Sequence, residues 1–274
     1  TGMAAGETWT AESRSVVVAS FLGWMLDAFD YFLVVFVIPR LATDFRTDVT
    51  AVTVALFATL AMRPVGAFLF GRLGDRYGRR PALMASILLY SAMELATAFA
   101  PSLGIFILLR ALYGIAMGGE WGIGASLAFA TVPVRSRGLV SGILQAGYPC
   151  GYLLAAVVFG LLFEHIGWRG MFVVGAAPAL LVLYIFGKVP ESPTWKAGRT
   201  QPRQRSLMAG LRGHWMLALY AVVLMACFNA FSHGTQDLYP TMLRVQRGFS
   251  TGTISAIAVV YNVGAILGGV VFGS

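Results

Sequence analysis

Charge is what this chain has little of. Asp, Glu, Lys and Arg make up 12% of its 274 residues, where a soluble globular domain carries about 25%. Too little polar surface remains to face water, so most of the chain must face lipid. Cysteine is scarce as well. Cys150 and Cys227 both lie inside apolar runs, which excludes a disulfide framework and any C-x-x-C metal or redox motif. A cleavable leader is not expected either. The first apolar run extends from about 16 to 38, too long for a signal core and without a small-residue cleavage site.

What the chain has is apolar length. It is 58% hydrophobic with a mean hydropathy of +0.75. Eight hydrophobic spans are predicted, at about 16–38, 50–71, 81–100, 104–131, 138–163, 170–188, 214–236 and 252–273. Each is long enough to cross a hydrocarbon core of about 30 Å at about 1.5 Å per helical residue. The expected fold class is an all-α membrane bundle. The formal charge of +8 is not a nucleic-acid footprint, because the basic residues sit in alternate loops. The stretches 72–80, 135–137 and 188–212 hold most of them, and the opposite loops hold only Arg40, Arg46, Arg169, Arg244 and Arg247. The positive-inside rule then places the N-terminus in the cytoplasm, in a plasma (inner) membrane.

One long polar segment interrupts the spans. Residues 190–213 contain Pro193, Pro202 and a basic run, and read as a cytoplasmic linker. The organisation predicted is a six-helix half over 1–189, the linker over 190–213, and the start of a second half over 214–274. Gly268-Gly269-Val270-Val271-Phe272-Gly273 echoes Gly66-Ala67-Phe68-Leu69-Phe70-Gly71, at the end of the second span of each half. The first copy continues into a basic loop where the second stops. A C-terminally truncated twelve-helix carrier is therefore expected.

A charge at the centre of a membrane helix costs about 2.5–3.5 kcal/mol on insertion scales. Asp27, Asp30, Arg63, Glu94, Arg110 and Glu120 occupy such positions, so pairing, protonation or a water-filled cavity must offset the cost. Asp27 and Asp30 are three apart and share a helical face. Two close carboxyls in low dielectric disfavour double ionisation, which makes them a proton-site candidate. The alternative is that one of them pairs with Arg63 or Arg110 and only holds helices together. Glu94 and Glu120 are further proton-coupling candidates. Glu120 lies about 80° around the helix from Arg110, so the two are not simple partners on one stripe. A structural ion pair with the inner loops is the alternative for Glu120.

Arg110, Gly114, Gly118 and Gly122 recur every four residues, forming a groove for close helix approach. On the seventh span, Asn229, His233 and Gln236 stand at i, i+4 and i+7, with Asp237 four residues beyond His233. A polar face on a membrane helix lines a cavity or bonds a neighbouring helix. Asn, Gln and His can donate to a carboxylate, and His can titrate near neutral pH. Asp75 beside Arg72, Arg76, Arg79 and Arg80 can form exchangeable ion pairs. Neither Ser232–His233 nor any other pair makes a hydrolase triad or a metal site, so no enzyme activity, cofactor or metal is expected.

Gly71-Arg72-Leu73-Gly74-Asp75-Arg76-Tyr77-Gly78-Arg79-Arg80-Pro81 resembles the signature loop between helices 2 and 3 of the major facilitator superfamily. Arg110-Ala-Leu-Tyr-Gly114 resembles that superfamily's Arg-x-x-Gln-Gly motif, with Tyr113 in place of Gln. Gly147-Tyr148-Pro149-Cys150-Gly151 resembles the antiporter motif Gly-Pro-x-x-Gly, but Tyr148 breaks the Gly-Pro step. Asn229-x-x-Ser232-His233-x-Thr235-Gln236-Asp237-x-x-x-Thr241 resembles the helix 7 signature of lactate/pyruvate–proton symporters, within the sialate:proton symporter family. Gly23-Trp-Met-Leu-Asp27-Ala-Phe-Asp30-Tyr and Gly118-Gly-Glu120-Trp-Gly122 are similar to the same family's first and fourth helices. Pro190-Glu-Ser-Pro193-Thr-Trp195 resembles the end of its sixth.

The resemblance implies entry of a small carboxylate anion with a proton by alternating access. Arg110, Asn229, His233, Gln236 and Asp237 would contact the anion. The loop residues Gly71, Asp75, Arg76, Gly78, Arg79 and Arg80 would form an inner gate. Membrane lipid is the surrounding partner, nucleic acid is not a partner, and a monomer is expected. A sialic acid carrier and a transporter-like nutrient sensor are the competing readings.

Overall fold

The computed structural model describes residues 9–198 and 207–273, and all of its regular elements are helical. In chain order they are α1 (Ala11–Asp44), α2 (Val49–Tyr77), α3 (Arg79–Ala98), α4 (Leu103–Thr131), α5 (Arg137–Val174), α6 (Leu181–Lys188), α7 (Pro193–Gly198), α8 (Leu207–Gln236), α9 (Tyr239–Val245) and α10 (Thr251–Gly273). Seven helices among the described residues are long and apolar enough to cross a membrane. The all-α expectation holds, and most spans fall where they were predicted. Span 170–188 is not a continuous helix. Gly167, at φ 61°, breaks α5 sharply, and a 3-10 turn at Ala177–Leu180 carrying Pro178 precedes the short α6. Glycine tolerates the left-handed backbone, and proline removes a helical donor.

Local chemistry sets the helix starts. Thr10 and Ser13 exchange hydrogen bonds in a capping box before α1. Asp48 Oδ1 accepts from Ala51 N at 2.6 Å before α2. The basic loop expected over 71–81 is nearly all helix. Arg72 and Arg76 lie on α2, Arg79 and Arg80 open α3, and Gly78 alone separates them at φ 115°. A residue with a Cβ would be strained there.

α1 is the central element. Every residue from Asp27 to Ile38 is buried, as α5, α4 and α2 pack around it. α2 lies along α4 through close backbone contact. A Cβ on Gly114 would run into the Thr59 carbonyl, one on Gly118 into that of Arg63, and one on Gly66 into that of Ile115. The predicted glycine groove is therefore real for Gly114 and Gly118, whereas Gly122 faces open space. Hydroxyls join neighbouring helices. Ser20 Oγ donates to Gly124 O at 2.9 Å, Thr59 Oγ1 to Arg110 O at 3.1 Å, and Ser86 Oγ to Ala116 O at 2.7 Å.

α8 begins at Leu207, inside the predicted linker, and is kinked at His214. Its described side chains from Trp215 to Phe231 are exposed, and the buried ones appear only beyond its end, at Asp237, Pro240 and Thr241. α10 packs on α5, where Ser255 Oγ donates to Ala156 O.

Candidate site between α1, α2, α4, α5 and α8

The membrane-embedded charges fall into two sets. In the first, Arg110 Nη2 is 2.5 Å from Glu94 Oε2 and donates to Thr97 Oγ1 at 3.0 Å. The Arg110 guanidinium also lies over the Tyr113 ring, 4.3 Å from its centroid, and 5.3 Å from that of Phe172. Both members of the pair are buried. Of the two partners weighed for Arg110 on α1, neither is used, and α3 supplies the carboxylate instead.

The second set is open. Asp27, Asp30 and Glu120 are fully buried, and none of their carboxyl oxygens has a hydrogen-bond partner among the described residues. Glu120 makes no ion pair among the described residues. Its carboxyl lies against Gly23 of α1, where a Cβ would collide with Oε1. Arg63, midway along α2, is half-buried and has no carboxylate within ion-pair distance among the described residues. It lies within electrostatic reach of Asp27 and Glu120. Asp30 in turn lies within reach of Asp27 and Glu94. Asp27 also lies within reach of Glu94, and Asp30 within reach of Arg110.

The end of α8 joins α1 through a second polar cluster. His233 Nδ1 is 3.0 Å from Asp237 Oδ2, and Tyr31 OH donates to that same oxygen at 2.5 Å. The His233 ring meets Tyr31 edge-on at 5.7 Å and Tyr148 at 6.3 Å. Asn229 does not join them. It is exposed, and its Nδ2 donates to Met225 O of its own helix at 2.8 Å. The side chain of Gln236 lies outside the described residues.

Aromatic rings link the open charges to this cluster. Trp24 stands 5.5 Å from the Arg63 guanidinium, 5.6 Å from Tyr148 and 6.1 Å from Trp121. Trp24 and Tyr31 were not singled out from the sequence, Tyr148 was noted only as a break in a motif, and Arg63 only as an embedded charge that could pair with Asp27 or Asp30. All three aromatics fall inside motifs that were singled out, in the stretches 23–31 and 147–151. Aromatic residues are common in any membrane helix, and only their convergence across helices marks these.

At the α2–α3 turn, the residues expected to form a gate are arranged differently from the expected ion-pair cluster. Asp75 is exposed and makes no salt bridge among the described residues, though its backbone carbonyl accepts from Trp195 Nε1 at 3.0 Å. Arg76 lies over Tyr77, and Arg79 Nη1 donates to Ser126 O at 3.0 Å. The acid that meets this turn is Glu191. Its carboxylate accepts from the backbone N–H of Arg79 and of Arg80, at 3.0 and 3.2 Å. It thereby caps α3, which has no side-chain cap of its own. Gly71 touches nothing an added Cβ would meet. At the opposite end, Thr251 Oγ1 donates to Glu164 Oε1 at 2.8 Å and accepts from Arg244 Nη1 at 3.2 Å, tying α5 to α9 and α10.

The family model described as Major Facilitator Superfamily matches residues 20–274. The chain is similar to the sialic acid transporter NanX of Escherichia coli (strain K12), 28% identical over 263 residues, covering 95% of this chain and 64% of the relative. It is also similar to a carboxylic acid transporter protein homolog of Saccharomyces cerevisiae, 30% identical over 291 residues, covering 97% of this chain and 47% of the relative. Among solved structures, a D-xylose-proton symporter superposes with a TM-score of 0.72 at 20% identity, over 93% of this chain and 67% of that one. The chain spans about half to two thirds of the length of these curated relatives.

Proposed function

The chain belongs to the major facilitator superfamily, an integral membrane family, and from that premise we propose that it is part of a proton-coupled symporter for a small monocarboxylate. Residues 1–189 would form the first six-helix half, 190–213 the cytoplasmic linker and 214–274 the start of the second half. The N-terminus would be cytoplasmic, where the basic stretches collect. The observation that carries this reading is one buried constellation. Unpartnered carboxyls on α1 and α4 stand within electrostatic reach of a cation on α2 that has no ion-pair partner.

Taking an isolated carboxylate out of water is costly, and binding a proton removes that charge. Asp27, Asp30 and Glu120 are thus the proton carriers, with Glu94 beside Arg110 as a further one. The substrate anion binds Arg63, whose guanidinium can grip a carboxylate through two parallel hydrogen bonds. Arg110 Nη2 is already engaged by Glu94 and Thr97, so in this reading Arg110 holds α3 to α4. His233 and Asp237 close the site from α8. A proton moving with a monoanion is electroneutral, so membrane potential does not oppose entry. Alternating access follows from rocking of the halves, with the Glu191-capped turn at one end and the Glu164–Thr251–Arg244 contact at the other.

Lactate and pyruvate are the substrates implied by the seventh-span motif. The similarity to NanX favours a sialic acid as the second reading. Uptake of labelled lactate by the natural full-length protein, at acid and at neutral outside pH with sialic acid as competitor, separates them. The expected outcome is acid-stimulated lactate accumulation that sialic acid leaves unaltered. Acid-driven uptake of sialic acid without lactate would establish the second reading.

A further inference from the structure

Resting on the carboxylate-carrier reading, we propose that the site takes a flat, conjugated ring acid, with Trp24 as the residue that selects for flatness. The site offers one cation and a wall of rings. Arg63 stands over Trp24, Trp24 is tilted only 31° from Tyr148, and Tyr148 meets His233 edge-on. Trp121 extends the wall on α4. Arg63 lies midway along α2, Trp24 and Trp121 lie near the middle of their helices, and Tyr148 lies near the middle of the part of α5 that precedes Gly167.

This wall is not ordinary core. Tyr90 and Tyr113, which also contact each other, are fully buried. Trp24 and Tyr148 are only half-buried, and Trp121 is 43% exposed. Nor does this side face hydrocarbon, because half-buried Arg63 shares it and a charge there would be costly in lipid. In this proposal, water and the ligand that displaces it therefore lie beside these rings.

A carboxylate bound through both oxygens lies in the plane of the guanidinium. In a conjugated acid the ring is coplanar with that carboxylate, so anchoring at Arg63 fixes the plane of the ring as well. A flat ring extending from Arg63 toward His233 then meets the Trp24 and Tyr148 rings, where each offset or edge contact adds about 0.5–1.5 kcal/mol beyond buried area. A saturated ring of the same size has no π face to offer. Lactate is too short to cover the wall. A polyhydroxylated acid would leave its hydroxyls without partners against ring faces.

The test is calorimetric binding to the natural full-length protein in detergent, with benzoate, cyclohexanecarboxylate and L-lactate as probes. Benzoate should bind about ten-fold more tightly than cyclohexanecarboxylate, and more tightly than lactate. Trp24→Leu should remove that preference by weakening benzoate alone, while Trp24→Phe keeps it. Retained cyclohexanecarboxylate binding shows that the Leu variant is folded, and if that variant does not fold, the wild-type comparison decides alone. Equal affinity of wild type for the flat and the saturated acid would overturn this inference and leave the carrier reading intact. Binding of none of the three acids would overturn the carboxylate reading, and this inference with it.

Discussion

Arg110 and Arg63 both sit on membrane helices, yet their surroundings are opposite. Arg110 is enclosed by a carboxylate, a hydroxyl and two ring faces. Among the described residues, Arg63 has one ring and no counter-ion, while fully buried carboxyls within its electrostatic reach have no hydrogen-bond partner. A closed pair resists change, because breaking it strands a charge in low dielectric. An open set can accept an ion and a proton, because neither must displace an existing partner. The first arrangement suits a joint between helices and the second suits a site.

The largest expected effect falls on the closed pair. Glu94→Ala should destabilise the folded protein by about 3–5 kcal/mol, because it leaves Arg110 buried and uncompensated. Replacing both members by leucine should recover most of that loss. Thermal unfolding in detergent measures it, and equal stability of the single variant would dissolve the distinction between the two sets. Next comes Arg63→Gln, which should weaken carboxylate binding by about 100-fold at unchanged unfolding temperature, since charge-assisted hydrogen bonds contribute about 1.5–3 kcal/mol each. A larger loss with Arg110→Gln, in protein that still folds, would return the anion contact to α4.

Tyr31→Phe removes one hydrogen bond to Asp237, a contribution of about 1 kcal/mol. It should raise the apparent KM for uptake about five-fold, while Tyr90→Phe, at a hydroxyl with no partner, should not. The smallest effect is expected at the inner turn. Glu191→Gln keeps an acceptor but loses charge at the start of α3, an interaction of about 0.3–1 kcal/mol. A change of no more than a few-fold in uptake rate is expected.

Much of the architecture was legible in the sequence, because span length and loop charge are local properties. The broken sixth span needed more, since nothing in the composition of 170–188 distinguishes a helix from two short pieces around Gly167 and Pro178. The basic loop was placed correctly but read as too long, because only the backbone shows that Gly78 alone must be non-helical. Embedded carboxylates announced themselves as candidates, yet their pairing depends on how helices are rotated against each other. That is why Glu94 emerged as the partner of Arg110 only in three dimensions. The same holds for Tyr31, which reaches Asp237 across 206 positions of sequence. Glu191 lay in a motif already noted, but its partners are backbone N–H groups, which no side-chain pattern reveals.

The most direct test of the proton claim compares two transport modes in vesicles holding the natural full-length protein, with protein-free vesicles subtracted. One mode is accumulation of labelled lactate driven by an imposed acid-outside gradient. The other is exchange of labelled for unlabelled lactate at equal pH. Asp27→Asn and Glu120→Gln should lose gradient-driven accumulation while retaining most of the exchange. Accumulation in both variants with the pH dependence of wild type would remove these carboxyls from the proton pathway and contradict the account.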